Sequence, residues 1–196
     1  TFMRMKDDHM RNGQLKAGYN IQISTSNQYV VNYSIHPNPT DTTTLASHIQ
    51  AHEDGFGKTL KTLTADAGYG SEQNYDILEQ KSIEAYVKFG LFDKQQNKNH
   101  NHKHPFSVDK LHYNQAQDCY ICPMGQPTND IGTVIKKTAA GYIQKIKKYQ
   151  AQQCTNCPMR GLCHQSKTNR IIQVNEDLNR HKEQAHALLN SEKGIA

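Results

Sequence analysis

Between Pro105 and Arg170 the chain is too polar to be held together by burial alone, yet all five of its cysteines lie there. They fall as Cys119-x-x-Cys122, then Cys154-x-x-Cys157, then Cys163. Two C-x-x-C pairs are the spacing of thiolate knuckles, each presenting two sulfurs to one ion. The chain shows no signal-peptide pattern, which argues against disulfides. The expectation is therefore one structural Zn²⁺, held by Cys119, Cys122, Cys154 and either Cys157 or Cys163. His164, beside Cys163, is a further substitute. Its binding energy would serve as folding energy for a region short of apolar residues.

The rest of the chain supports that contrast. Over 196 residues only 35% are hydrophobic and none is Trp. No apolar run is long enough to cross a membrane, and a cytosolic chain is the default. The formal charge is +5, unevenly placed. Ile131 to Asn175 contains no Asp or Glu, but carries Lys136, Lys137, Lys145, Lys147, Lys148, Arg160, Lys167 and Arg170. A block of one sign suits a polyanion such as DNA, with a solvated basic face as the plainer reading. The stretch with His100, His102 and His104 reads as an exposed linker rather than a metal site.

The first ninety residues pattern as α/β. Residues 18–24 and 29–35 alternate with period two around a turn at Ser26-Asn27-Gln28, which predicts an antiparallel hairpin, with Tyr19, Ile21 and Ile23 in register on one strand and Tyr29, Val31, Tyr33 and Ile35 on the other. Asp41 stands where a helix N-cap would, before Leu45 and Ile49, and Gly55 and Gly57 close that helix. Residues 59–65 predict a third strand, Ser71 the cap of a helix through Lys81, and residues 84–89 a fourth strand. The order β-β-α-β-α-β predicts a mixed sheet. A last helix is expected from Asn175 to about Glu192.

One residue in that pattern asks for an explanation. Asp66 ends the third strand, in LTADAGYGSEQNY, and two glycines and a tyrosine follow at once. A carboxylate at a rigid strand end, before a turn, can hold a hard cation such as Mg²⁺. A turn aspartate bonded to its own loop is the plainer alternative.

The segments TFMRMKDDHMRNGQLKAGYNIQIS, HPNPTDTTTL, TADAGYGSEQNY and YVKF, in this order, resemble the DDE transposases of bacterial insertion sequences, in the branch with a cysteine-bearing insertion. The resemblance implies a ribonuclease-H-like fold and a triad of two aspartates and a glutamate binding two divalent ions, Mg²⁺ in the complete enzyme. Asp66 matches the second aspartate. Asp7, Asp8 and Asp41 are not convincing replacements for the first, which the family carries upstream; the glutamate follows the SEKG-type motif at Ser191–Gly194. The expectation is a middle fragment, inactive alone. Its parent would act on double-stranded DNA at transposon ends and target sites, as a dimer or higher assembly. The implied organisation is a partial ribonuclease-H-like core over 1–92, a linker over 93–104, a cysteine-rich, basic, zinc-ribbon-like insertion over 105–172, and a helix returning to the core over 173–196. A non-catalytic zinc-binding nucleic-acid module, and a nuclease of the same fold, stay open as alternatives.

Overall fold

The computed structural model describes residues 1–4, 12–96 and 105–195. Asp7, Asp8, His100, His102 and His104 lie outside the described residues. By internal contacts the chain forms two units: Thr1–Phe92 with His181–Ala196, and Asp93–Arg180.

The first unit opens with a short antiparallel pair, β1 (Phe2–Arg4) and β2 (Leu15–Ala17). The expected hairpin follows as β3 (Asn20–Ser26) and β4 (Tyr29–His36), with Ile21 opposite Ile35 and Ile23 opposite Tyr33. Its turn places Asn27 and Gln28 at φ 50° and 70°. Two left-handed residues give the backbone twist that matches paired strands.

The faces of the hairpin depart from expectation. Its apolar side is open: Ile21, Ile23, Tyr33 and Ile35 are all more than half exposed. The polar side is the covered one. Helix α1 (Leu45–Phe56) lies there and puts His48 between two serines, with Ser24 Oγ 2.5 Å from Nε2 and Ser34 Oγ 2.7 Å from Nδ1. Asn32 donates to the His48 carbonyl at 3.0 Å. Burial first, then the neighbouring His36 and His52, push the His48 pKa below its ordinary value. A buried polar face is tolerable because these groups satisfy one another. Leu45 and Ile49 are buried, and Gly57 closes α1 at φ 62°.

Strand β5 (Thr62–Ala65) pairs in parallel with β6 (Glu84–Val87), and α2 (Glu72–Gln80) makes the connection. Ser71 caps α2 by accepting from the Asn74 amide at 3.3 Å. Tyr75 and Leu78 point inward, as their spacing predicts, to a core with Ile83, Val87, Phe89, Phe92 and Ala185. Tyr75 donates its hydroxyl to the Val87 carbonyl, and burial pushes its pKa up to about 12. The hairpin and the parallel pair are two separate two-stranded sheets, not the single mixed sheet expected.

The start of the expected linker is ordered: Phe92–Gln96 form α3, with Phe92 buried edge-on to Phe89. In the second unit, β7 (Tyr113–Asn114) pairs with β8 (Cys119–Tyr120). Strands β9 (Thr128–Lys137), β10 (Ile143–Ala151) and β11 (Ile171–Val174) form an antiparallel sheet with β10 central. Its small core is Tyr149, Ile172 and Val174, packed by Val108, Leu111 and Tyr120. One helical turn, α4, spans Arg160–Cys163. Asn175 caps α5 (Glu176–Leu189) by accepting from the Leu178 amide at 2.9 Å, and α6 (Glu192–Ile195) follows. No described helix is long and apolar enough to cross a membrane.

Gly70 and Gly55 test this packing in opposite directions. A Cβ on Gly70 would collide with the Lys88 carbonyl oxygen and stand 2.8 Å from Phe89 Cα. One on Gly55, within α1, would meet nothing within 4 Å. Gly70→Ala is expected to destabilise the chain by about 1–3 kcal/mol, and Gly55→Ala to stabilise it by about 0.5–1 kcal/mol. Urea unfolding of both variants measures the contrast.

Candidate functional site: a strand-end carboxylate and a cysteine-lined cavity

Asp66 follows β5 directly and begins a 3-10 turn over Ala67–Tyr69. Its Oδ1 accepts from the Gly68 amide at 2.8 Å. Gly70, with no side chain, lets this turn settle against Lys88 and Phe89 just beyond β6. The carboxylate therefore sits on rigid scaffold rather than on a free loop.

A second carboxylate faces the same turn. Asp41 caps no helix with its side chain: the cap of its 3-10 turn is Thr40 and that of α1 is Thr44. The reason lies in the hairpin. Asn20 and Gln22, on its polar face, donate to Asp41 Oδ1 at 2.8 and 3.0 Å and draw the side chain toward β3. Asp66 Oδ1 and Asp41 Oδ2 lie 3.0 and 3.1 Å from the point a Gly68 Cβ would occupy. They are thus within twice that distance of each other. Burial, then Asp41, then Asp66 push the Tyr69 pKa up to about 12. Such a pair of carboxylates can share a divalent cation. Nothing in the sequence spacing pairs Asp41 with Asp66; the signal is the run of amides on the polar side of the hairpin.

The cysteines divide four to one. Cys122, Cys154, Cys157 and Cys163 line one cavity with Met124, Met159, Arg160, His164 and Arg170. Cys119 does not line it: it is buried in β8, its Sγ 3.9 Å from Gln117 Oε1. Of the expected ligands, Cys122, Cys154, Cys157 and Cys163 share this cavity, and Cys119 stands on β8. Strand pairing with Asn114 fixes Cys119 in β8, whereas Cys122 sits in the following turn closed by Gly125. All five are free thiols. No three sulfurs approach within 4.8 Å of one another, wider than sulfurs on one tetrahedral ion. Arg170 donates from Nη1 to Cys163 Sγ at 3.0 Å and from its amide to Cys154 Sγ at 3.4 Å. His164 Nδ1 accepts from the Ser166 amide at 3.2 Å, which places a neutral ring's proton on Nε2. That nitrogen is buried without a hydrogen-bond partner. It can donate toward sulfur but has no lone pair to replace one.

The basic residues divide as well. Lys147 is bound to Asp118, with Asp130 and Glu176 each 3.9 Å away. Arg160 donates to the carbonyls of Cys154, Ser166 and Lys167. Arg170 donates to the Phe106 carbonyl at 2.6 Å as well as to Cys163. These three brace the second unit through side-chain contacts of their own. Lys136, Lys137 and Lys145 stand exposed on β9 and β10, interleaved with exposed Ile135 and Ile143; Lys148 is half-buried, and Lys167 is exposed on the loop before β11.

Residues 121–196 match the family model described as transposase DDE domain. No curated protein and no solved structure matches the chain.

Asp118 provides a pH test of the second unit. It accepts from Lys147 and, at 2.6 Å each, from the hydroxyls of Tyr113 and Tyr149. These bonds, Lys147's first, hold its carboxyl well below the usual carboxylate range. A depressed folded pKa adds stability above the ordinary value of about 4, lost as pH falls through the depressed one. Acid titration followed by tyrosine resonances is expected to show this loss in the wild type and not in Asp118→Asn.

Proposed function

We propose that the chain belongs to the DDE transposases, whose domain model its residues 121–196 match, and that it is part of an enzyme that cuts and rejoins DNA at transposon ends. The observation that carries the catalytic part is the Asp66 carboxylate, fixed at the end of a parallel strand with Asp41 facing the same turn. In this reading the hairpin, α1 and the β5–α2–β6 unit are parts of a ribonuclease-H-like core.

Asp66 would hold a divalent ion, Mg²⁺ in the complete enzyme. Such ions activate a water or 3′-hydroxyl and stabilise the leaving oxygen of a phosphodiester. Asn20 and Gln22 orient Asp41 toward the same turn, and Gly70 fixes where Asp66 stands.

The second unit supplies a zinc site and a DNA-facing ribbon. Cys122, Cys154, Cys157 and Cys163 would hold Zn²⁺. Their support is the shared cavity, the Arg170 bonds to two of the sulfurs, and a core too small to order the unit alone. Four thiolates on Zn²⁺ leave net negative charge, which Arg160 and Arg170 on the cavity wall offset. Lys136, Lys137 and Lys145 would contact phosphates. The matched segment holds this cavity and ribbon but not Asp66, which favours, as second reading, a zinc-bound DNA-binding module without cleavage.

Two experiments decide. In a protein carrying the whole triad, Asp66→Ala is expected to abolish Mg²⁺-dependent strand cleavage and keep DNA binding. Near-normal cleavage would remove Asp66 from the site, and absence of cleavage in the wild type would favour the binding module. For the metal, Cys119→Ser is expected to keep the thiolate-bound Zn²⁺, read by its sulfur-to-metal charge transfer on cobalt exchange, while Cys122→Ser loses it. Equal loss in both would return Cys119 to the ligand set.

A further inference from the structure

Asp76 and Glu79 lie one helical turn apart on α2, a spacing that puts both on one side of the helix. His181, on α5, meets them there. Its Nε2 is 2.7 Å from Asp76 Oδ1. One ligand-capable atom from each of the three lies within 4.8 Å of the other two, and among the described residues this is the only such group of three or more. All three residues belong to the first unit.

The imidazole is set as a metal ligand is set. His181 is 3% exposed, and its ring stacks on Tyr75 with centroids 5.5 Å apart and planes 19° apart. Tyr75 is itself fixed by its hydroxyl to the Val87 carbonyl. A cavity of about 410 Å³ opens beside the group, with Glu79, His181 and Gln184 in its wall. An ion pair alone accounts for Asp76 against His181. Glu79 brings a second carboxylate into the same group, and an opening lies beside it, which is the arrangement a cation site requires.

We propose that Asp76, Glu79 and His181 form a divalent-cation site, distinct from the Asp66 turn and from the cysteines. One imidazole nitrogen and two carboxylate oxygens suit a borderline ion of the Zn²⁺ and Co²⁺ class. Mg²⁺ prefers an all-oxygen shell that keeps several waters. Three protein ligands leave a coordination position open, and the cavity is where a water or other oxygen ligand would reach it. Binding would tie α2 to α5 within the first unit.

The test is a Co²⁺ titration of the 196-residue chain, Co²⁺ standing in for Zn²⁺. Ions on thiolates give an intense sulfur-to-cobalt charge-transfer band; ions on nitrogen and oxygen give only weak visible bands. The expected result is one equivalent bound without charge transfer. It should weaken by about tenfold or more, at least what loss of an outer partner costs, in both Glu79→Gln and Asp76→Asn. Glu79 is exposed and a glutamine there leaves the fold intact; asparagine at 76 keeps a hydrogen bond to His181. The proposal is overturned if the wild type binds no such equivalent, or if Glu79→Gln leaves its affinity unchanged. A missing charge-transfer band would count against the cysteine site alone.

Discussion

The first unit depends on how closely the Gly70 backbone approaches Lys88 and Phe89. That contact locks the turn after β5 onto the chain just beyond β6, and everything functional in the unit is measured from it. It sets Asp66 at the mouth of the parallel pair. It starts α2 at Ser71, so that Tyr75 reaches the Val87 carbonyl. Tyr75 in turn is the plate on which His181 rests. A side chain at residue 70 would push the turn away from β6 and loosen each later contact. The glycine's role is close approach, since its φ of −74° is open to any residue.

The second unit is held differently. Its buried apolar cluster of Tyr149, Ile172 and Val174, with Ala151 buried besides, is a small payload against the entropy of ordering such a chain. Polar constructions make up the difference. Asp118 gathers Lys147, Tyr113 and Tyr149; Arg160 and Arg170 tie loops by their carbonyls and by sulfur. The cost is that cations which would otherwise face solvent are consumed inside. The outward charge concentrates on Lys136, Lys137 and Lys145 along the β9–β10 ribbon.

Local elements were legible because short-range rules decide them. The hairpin, the Ser71 cap, the inward Tyr75 and Leu78, and the Gly57 stop all follow from period, cap chemistry and backbone freedom. Asp66 at a strand end was legible for the same reason. Long-range pairings were not. Alternation identifies the apolar side of the hairpin but not which side a helix will cover, and α1 covers the polar one. Nothing in C-x-x-C spacing says that Cys119 lies on β8 while the other four line one cavity. Asp76 and His181 are 105 residues apart, and no local rule joins them. Lys147 looked like its neighbours until Asp118, placed at φ 46°, took it.

The central claim is that the Asp66 turn holds a divalent ion. Anomalous diffraction from Mn²⁺ in crystals of the protein bound to DNA tests it most directly. The account predicts a peak at bonding distance from an Asp66 carboxylate oxygen, with Asp41 facing it across Gly68. Peaks confined to other residues, with Asp66 still bonded only to the Gly68 amide, would contradict it.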